Sequence, residues 1–146
     1  MVNEYQELFK KDYDMGKKNE KKVVNWLNEN SDQKYYIQKW KYSIMDFKKY
    51  DDDNFVGELK SRNELHNNYP TAMIGKNKIN RVLKNDKLNV KFYFLYQDGL
   101  FYWNLNKEEY TEGKWCRNNR GKYETSDICY ISHEHLKLLT DEINSL

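Results

Sequence analysis

The chain has 146 residues, with 25 Lys plus Arg against 23 Asp plus Glu and a formal net charge of +2. That balance argues against a protein that coats a polyanion, and no apolar run approaches the ~20 residues of a membrane span or forms a signal-peptide core. The apolar fraction is only 38%, yet 13 Tyr, 6 Phe and 4 Trp each bury a large area, so a single folded domain over 1–146, soluble and intracellular, is expected.

Residues 1–14 place Tyr5, Leu8 and Phe9 at helical spacing and predict a helix that covers one side of the core. A further helix is predicted over Lys17–Glu29, where Val23, Val24 and Leu27 form one stripe and Glu20 lies on it. A carboxylate on a core-facing stripe is costly unless paired or metal-bound. Glu20 therefore either turns into a site, or sits at the helix edge reaching water or pairing with Lys17 or Lys21. Three strands follow: Tyr35–Trp40, then Tyr42–Met45 ending at Asp46, then Phe55–Lys60 after the acidic turn Asp51-Asp52-Asp53-Asn54. Pairing the last two as an antiparallel hairpin brings Asp46 beside Glu58. Glu58 and Lys60 are two apart in a strand and project from one face, so a carboxylate and an ammonium share one small site. The serial acids of the turn offer metal ligands, but an acidic hairpin tip is ordinarily just solvated.

Tyr69-Pro70-Thr71 reads as a helix start capped by Thr71, and Met73–Leu88 continues it with Ile74, Ile79, Val82 and Leu83 on one face. Val90–Tyr96 reads as a strand, Gln97-Asp98-Gly99 as a turn and Leu100–Trp103 as its returning partner. Lys114–Tyr123 mixes cations with aromatics beside Gly113 and Gly121. It is expected to be a loop or hairpin outside the core, either suited to phosphate tracking and base stacking or simply solvated. The tail reads as a strand, Asp127–Ile131, and a short helix, Ser132–Leu139, capped by Ser132. Cys116 and Cys129 form no disulfide framework and are expected as free thiols; with His133 and His135 they fit no zinc-ligand spacing. There is no glycine-rich phosphate loop, no Gly-x-Ser-x-Gly elbow and no internal repeat.

Met45-Asp46 followed by Glu58-Leu59-Lys60 resembles the signature of the PD-(D/E)xK nuclease superfamily, with Met45 standing where the name-giving Pro would be. The resemblance implies an α/β (α+β) fold with a restriction-endonuclease-like αβββαβ core, a mixed central sheet flanked by helices. It also implies a Mg²⁺-dependent deoxyribonuclease, with Mn²⁺ as a substitute ion and DNA as partner. Asp46 and Glu58 are the implied metal ligands, with the Leu59 carbonyl as a further one. Lys60 is implied to orient or deprotonate the attacking water, or to stabilise charge on the phosphate. Glu20 matches an auxiliary acid on the preceding helix. Lys78 matches a site-facing Lys on the following one, where a solvated face lysine is the alternative. Small domains of this kind commonly cut both strands as homodimers, although no interface is visible in the sequence. Richness in Lys, Asn and Tyr with a single Pro is similar to the compact nuclease-like proteins of large DNA viruses, which would act in a host cell. The competing reading is an inactive nucleic-acid-binding or protein-interaction module on the same fold.

Overall fold

A computed structural model describes residues 4–39, 45–119 and 122–145. The chain begins with one helix, α1 (Glu4–Asn30), where two were expected: Gly16 interrupts the pattern but costs a helix only about 1 kcal/mol and does not break it. The described side chains of its first half are largely exposed, while Val23, Val24 and Leu27 are buried. The side chains of Tyr5, Leu8 and Phe9 lie outside the described ones.

After α1 come β1 (Tyr35–Ile37), β2 (Phe47–Lys49) and β3 (Phe55–Ser61). Of the strand expected over Tyr42–Met45, residues 42–44 lie outside the described ones and Met45 lies in a bend; the strand that pairs with β3 is β2, beyond Asp46. β1 and β2 pair antiparallel, as do β2 and β3, with Phe47 opposite Gly57. Gly57 suits this position because a Cβ there would lie 2.5 Å from the Phe47 ring. The tip at Asp51–Asn54 is a solvated turn in which Asp52 accepts the Asn54 N–H at 3.0 Å.

The segment expected to open a helix at Thr71 is instead a strand, β4 (Thr71–Gly75), and the helix α2 spans Lys76–Leu83. Ala72 and Ile74 are buried with the two-residue period of a strand, and they pair with Ile131 and Cys129. β5 (Asn89–Tyr96) and β6 (Gly99–Asn104) form the expected hairpin, with Gly99 at φ +156°. β7 (Tyr110–Asn119) and β8 (Lys122–Ser132) form a second hairpin. The helix expected over Ser132–Leu139 is absent. A 3-10 turn at His133–His135 leads into β9 (Lys137–Thr140), and the Ser132 side chain caps nothing. That short apolar run gains more by pairing with the exposed edge of β6 than by coiling.

The strands form a six-stranded sheet, β1-β2-β3-β5-β6-β9, and a three-stranded sheet, β4-β8-β7. β3 and β5 are parallel, which demands a crossover, and β4 with α2 supplies it. Each face of the larger sheet is covered. Phe55, Leu59, Tyr93 and Leu95 pack beneath α1, whereas Val56, Phe92, Phe94 and Trp103 pack with Ile79 and Val82 of α2 and with Ile74 and Ile131 of the smaller sheet. Each such side chain contributes roughly 1.5–3 kcal/mol on full burial. The result is an α/β fold of the restriction-endonuclease-like class.

Candidate active site

The site forms where β3 outruns β2. Asp46 donates its N–H to the Gly57 carbonyl at 2.9 Å, one residue before β2 begins. Among the described residues, no strand on that edge of β3 pairs with Leu59, since β2 meets β3 at Phe47 opposite Gly57. The Asp46 carboxylate fills that gap: its Oδ2 accepts the Leu59 N–H at 2.8 Å. Because the N–H and C=O of one extended residue leave by the same edge, the Leu59 carbonyl also lies on the Asp46 side.

Glu58 and Lys60 continue the Val56 face of β3, past the point where apolar side chains cover it. Glu58 is 3% exposed. Its Oε1 receives two ammonium groups, Lys78 of α2 at 2.7 Å and Lys60 at 3.4 Å. Its Oε2 is buried with no hydrogen-bond partner among the described residues. From α1 comes Glu20, 9% exposed, ion-paired to Lys17 at 3.3 Å and within hydrogen-bonding reach of Asp46. The two readings of Glu20 thus coexist, since it pairs with Lys17 and also faces the cleft. Glu20, Asp46, Glu58, Leu59 and Lys60 line one cleft of about 870 Å³, and Lys78 reaches Glu58 from α2.

Charge crowding shows in the protonation equilibria. Burial pushes the Asp46 carboxyl above its ordinary value; the Leu59 N–H bond opposes this and the neighbouring Glu20 carboxylate adds to it. Burial likewise raises Glu58, reinforced by the charge of Asp46 and offset by Lys60 and Lys78. Such acids gain from a nearby cation. Among the described residues no three His, Cys, Asp or Glu side chains close a metal cage. The fit is instead to an ion that takes one or two carboxylates and keeps its waters, as Mg²⁺ does. The Glu58 Oε2, which has no partner among the described residues, the Asp46 carboxylate and the Leu59 carbonyl are hard oxygen atoms that could hold such an ion.

Sequence reasoning passed over Arg62. It sits two residues beyond Lys60, so strand alternation alone would have placed it on the same side. Its guanidinium donates to the Ser61 carbonyl at 3.2 Å and the Met73 carbonyl at 3.4 Å, and it lines the cleft. Asn19, which donates to Ser61 Oγ at 3.1 Å, ties α1 to the end of β3. Cys116 and Cys129 are free, one exposed and one buried, and the His135 ring faces Glu109 at 3.5 Å.

A buried acid-x-Lys on a central strand, a second acid held at that strand's open edge and, with β4 set apart in the smaller sheet, an αβββαβ order (α1, β1–β3, α2, β5) define the restriction-endonuclease-like nucleases as a class. A family model described as "Phage putative PDDEXK endonuclease" matches residues 9–141, and the chain belongs to that family. No curated protein and no solved structure matches the chain.

Proposed function

We propose that this protein is a divalent-metal-dependent nuclease that hydrolyses phosphodiester bonds of DNA, working in the cell that the phage infects. The observation that carries the reading is Glu58: a carboxylate this deeply buried, with one oxygen held by two lysines and the other without a partner among the described residues, is costly unless it serves an ion. It is also unlike the surface ion pair that an inactive binding module would retain. Asp46 and Glu58, with the Leu59 carbonyl, would hold Mg²⁺, or Mn²⁺ in its place. When bound, the ion would supply charge neutralisation at the phosphate and acidify water.

The remaining work falls to the chain. Lys60, on the Glu58 face, orients the attacking water or takes its proton. Lys78 holds Glu58 in place and offers positive charge to the phosphate. Glu20 supports Asp46, and its proximity keeps that carboxyl ready to exchange a proton for a cation. Arg62, which lines the same cleft, would offer its charge to an adjoining phosphate of the same strand. α1 walls the cleft with Asp12, Met15 and Gly16, which limits the approach to one side. Cutting both strands of a duplex calls for two such sites, hence a dimer at the moment of cleavage. The test is incubation with supercoiled, linear, single-stranded and branched DNA in Mg²⁺ or Mn²⁺. Cleavage of at least one substrate, abolished by EDTA, is expected; binding without cleavage on every substrate would favour the inactive module.

A further inference from the structure

β7 and β8 have 10 and 11 residues, yet β4, which pairs with the other edge of β8, has only 5. β4 ends at Gly75 opposite Ile128, and Gly113 also pairs with Ile128. Beyond that level the β7–β8 ladder runs on alone, from Lys114 opposite Asp127 to Asn119 opposite Lys122. This length of ladder spans about 20 Å at ~3.3 Å per residue. Every described side chain from Lys114 to Cys116 and from Glu124 to Asp127 is exposed, Trp115 at 42%. No core burial explains a ribbon of this length, and two strands alone are marginally stable in water.

Its root lies beside the candidate active site. β4 hands over to α2 at Gly75, and Lys76 at that junction is ion-paired to Glu112 of β7 at 2.9 Å. Two residues further on, Lys78 holds Glu58. The ribbon and the cleft therefore hang from the same turn of α2. Gly113 lets the Tyr130 ring lie against the root, since a Cβ there would come within 2.8 Å of it. Along the described ribbon the sequence sets Lys114, Arg117 and Lys122 against Glu124 and Asp127.

We propose that the β7–β8 ribbon lies in a groove of duplex DNA and holds the duplex against the cleft, its cations meeting phosphates on the groove walls. The choice of partner rests on the nuclease reading; the geometry does not. A major groove about 12 Å wide admits a two-stranded ribbon, and a net positive element is steered toward phosphate.

The test uses the full chain without divalent cations, so binding is read apart from cleavage. Replacing the three ribbon cations together (Lys114→Ala, Arg117→Ala, Lys122→Ala) should weaken binding to a ~30-bp duplex by about tenfold or more. It should also flatten the salt dependence by about 0.9 log unit for each phosphate that the ribbon no longer neutralises. An independent readout needs no substitution: duplex should slow alkylation of the exposed Cys116, with the buried Cys129 as internal reference. Unchanged duplex affinity with Cys116 unprotected would overturn the inference, as would ribbon-dependent binding that prefers single strands. A protein that cleaves DNA while both readouts stay flat refutes the ribbon's role alone. A protein that never cleaves, yet loses duplex with its ribbon cations, refutes the nuclease reading alone.

Discussion

Replacing Asp46 by Asn should make the metal-free protein more stable, and should remove the stability that a metal adds. In the folded chain the Asp46 carboxylate is desolvated and faces the Glu20 and Glu58 carboxylates; the Leu59 N–H bond compensates only in part. Asn keeps an oxygen for the Leu59 N–H, carries no charge and offers Glu20 a donor. The gain is expected at about 0.5–2 kcal/mol, the usual size when a functionally strained position is relieved. Metal works in the opposite sense. At a free concentration a hundredfold above its Kd, an ion bound to the native state adds about 2.7 kcal/mol, which for a chain of this length is roughly 5–10 °C in Tm. Thermal melts of wild type and Asp46→Asn in EDTA and in Mn²⁺ measure both effects at once. Wild type should gain several degrees from Mn²⁺ and the variant almost none, while in EDTA the variant should melt higher. A variant that melts lower in EDTA, or one that keeps the full Mn²⁺ shift, would refute the argument that Asp46 is an unrelieved metal ligand.

Other outcomes follow from the same geometry. Metal-free stability should fall as pH rises above about 4, because the folded pKa values of Asp46 and Glu58 lie above the unfolded ones. Between the two sets of values the native state holds more protons, so the contribution is fullest below the unfolded pKa and is lost as pH rises through the folded pKa. Urea melts from pH 4 upward should show that decline in wild type and a shallower one in Asp46→Asn. Lys78→Met removes a 2.7 Å ammonium contact from a buried carboxylate. It should cost metal-free stability about 1–3 kcal/mol and yet tighten Mn²⁺ binding, since one competing positive charge is gone; a calorimetric titration reads the affinity. Gly57→Val drives its side chain into the buried Phe47 ring. It should destabilise by about 1–3 kcal/mol and weaken metal binding as well, since Asp46 is bonded to the Gly57 carbonyl; equal metal affinity after refolding would separate the two.

The parts of this fold that are legible in the sequence are those whose pattern is local. Val90–Tyr96 and Leu100–Trp103 are dense in aromatics on either side of Gln97-Asp98-Gly99, and they form the hairpin that this pattern describes. Glu58 and Lys60 can be placed on one face because a strand alternates whatever surrounds it. Thr71–Gly75 and Lys137–Thr140 look helical in the sequence because Ala, Met and Leu favour helices, while the partners that make them strands, β8 and β6, lie far off in the chain. The register of Asp46 is not legible either: it depends on Phe47 settling over Gly57, a tertiary contact. Lys78 is one candidate among many lysines, and only the packing of α2 against the sheet brings it to Glu58. The ribbon's extent is hidden for the opposite reason. Nothing local marks where β4 stops, and that end point is what frees the outer halves of β7 and β8.

The central claim is a working metal site in which Lys60 serves chemistry rather than ion binding. The direct test runs Lys60→Ala beside wild type on supercoiled DNA in Mg²⁺, with the Mn²⁺-induced Tm shift measured on the same preparations. The account predicts that wild type cuts, that Lys60→Ala does not, and that both keep the metal shift. Cutting by Lys60→Ala at the wild-type rate, or a wild type that binds the ion and cuts nothing, would contradict it.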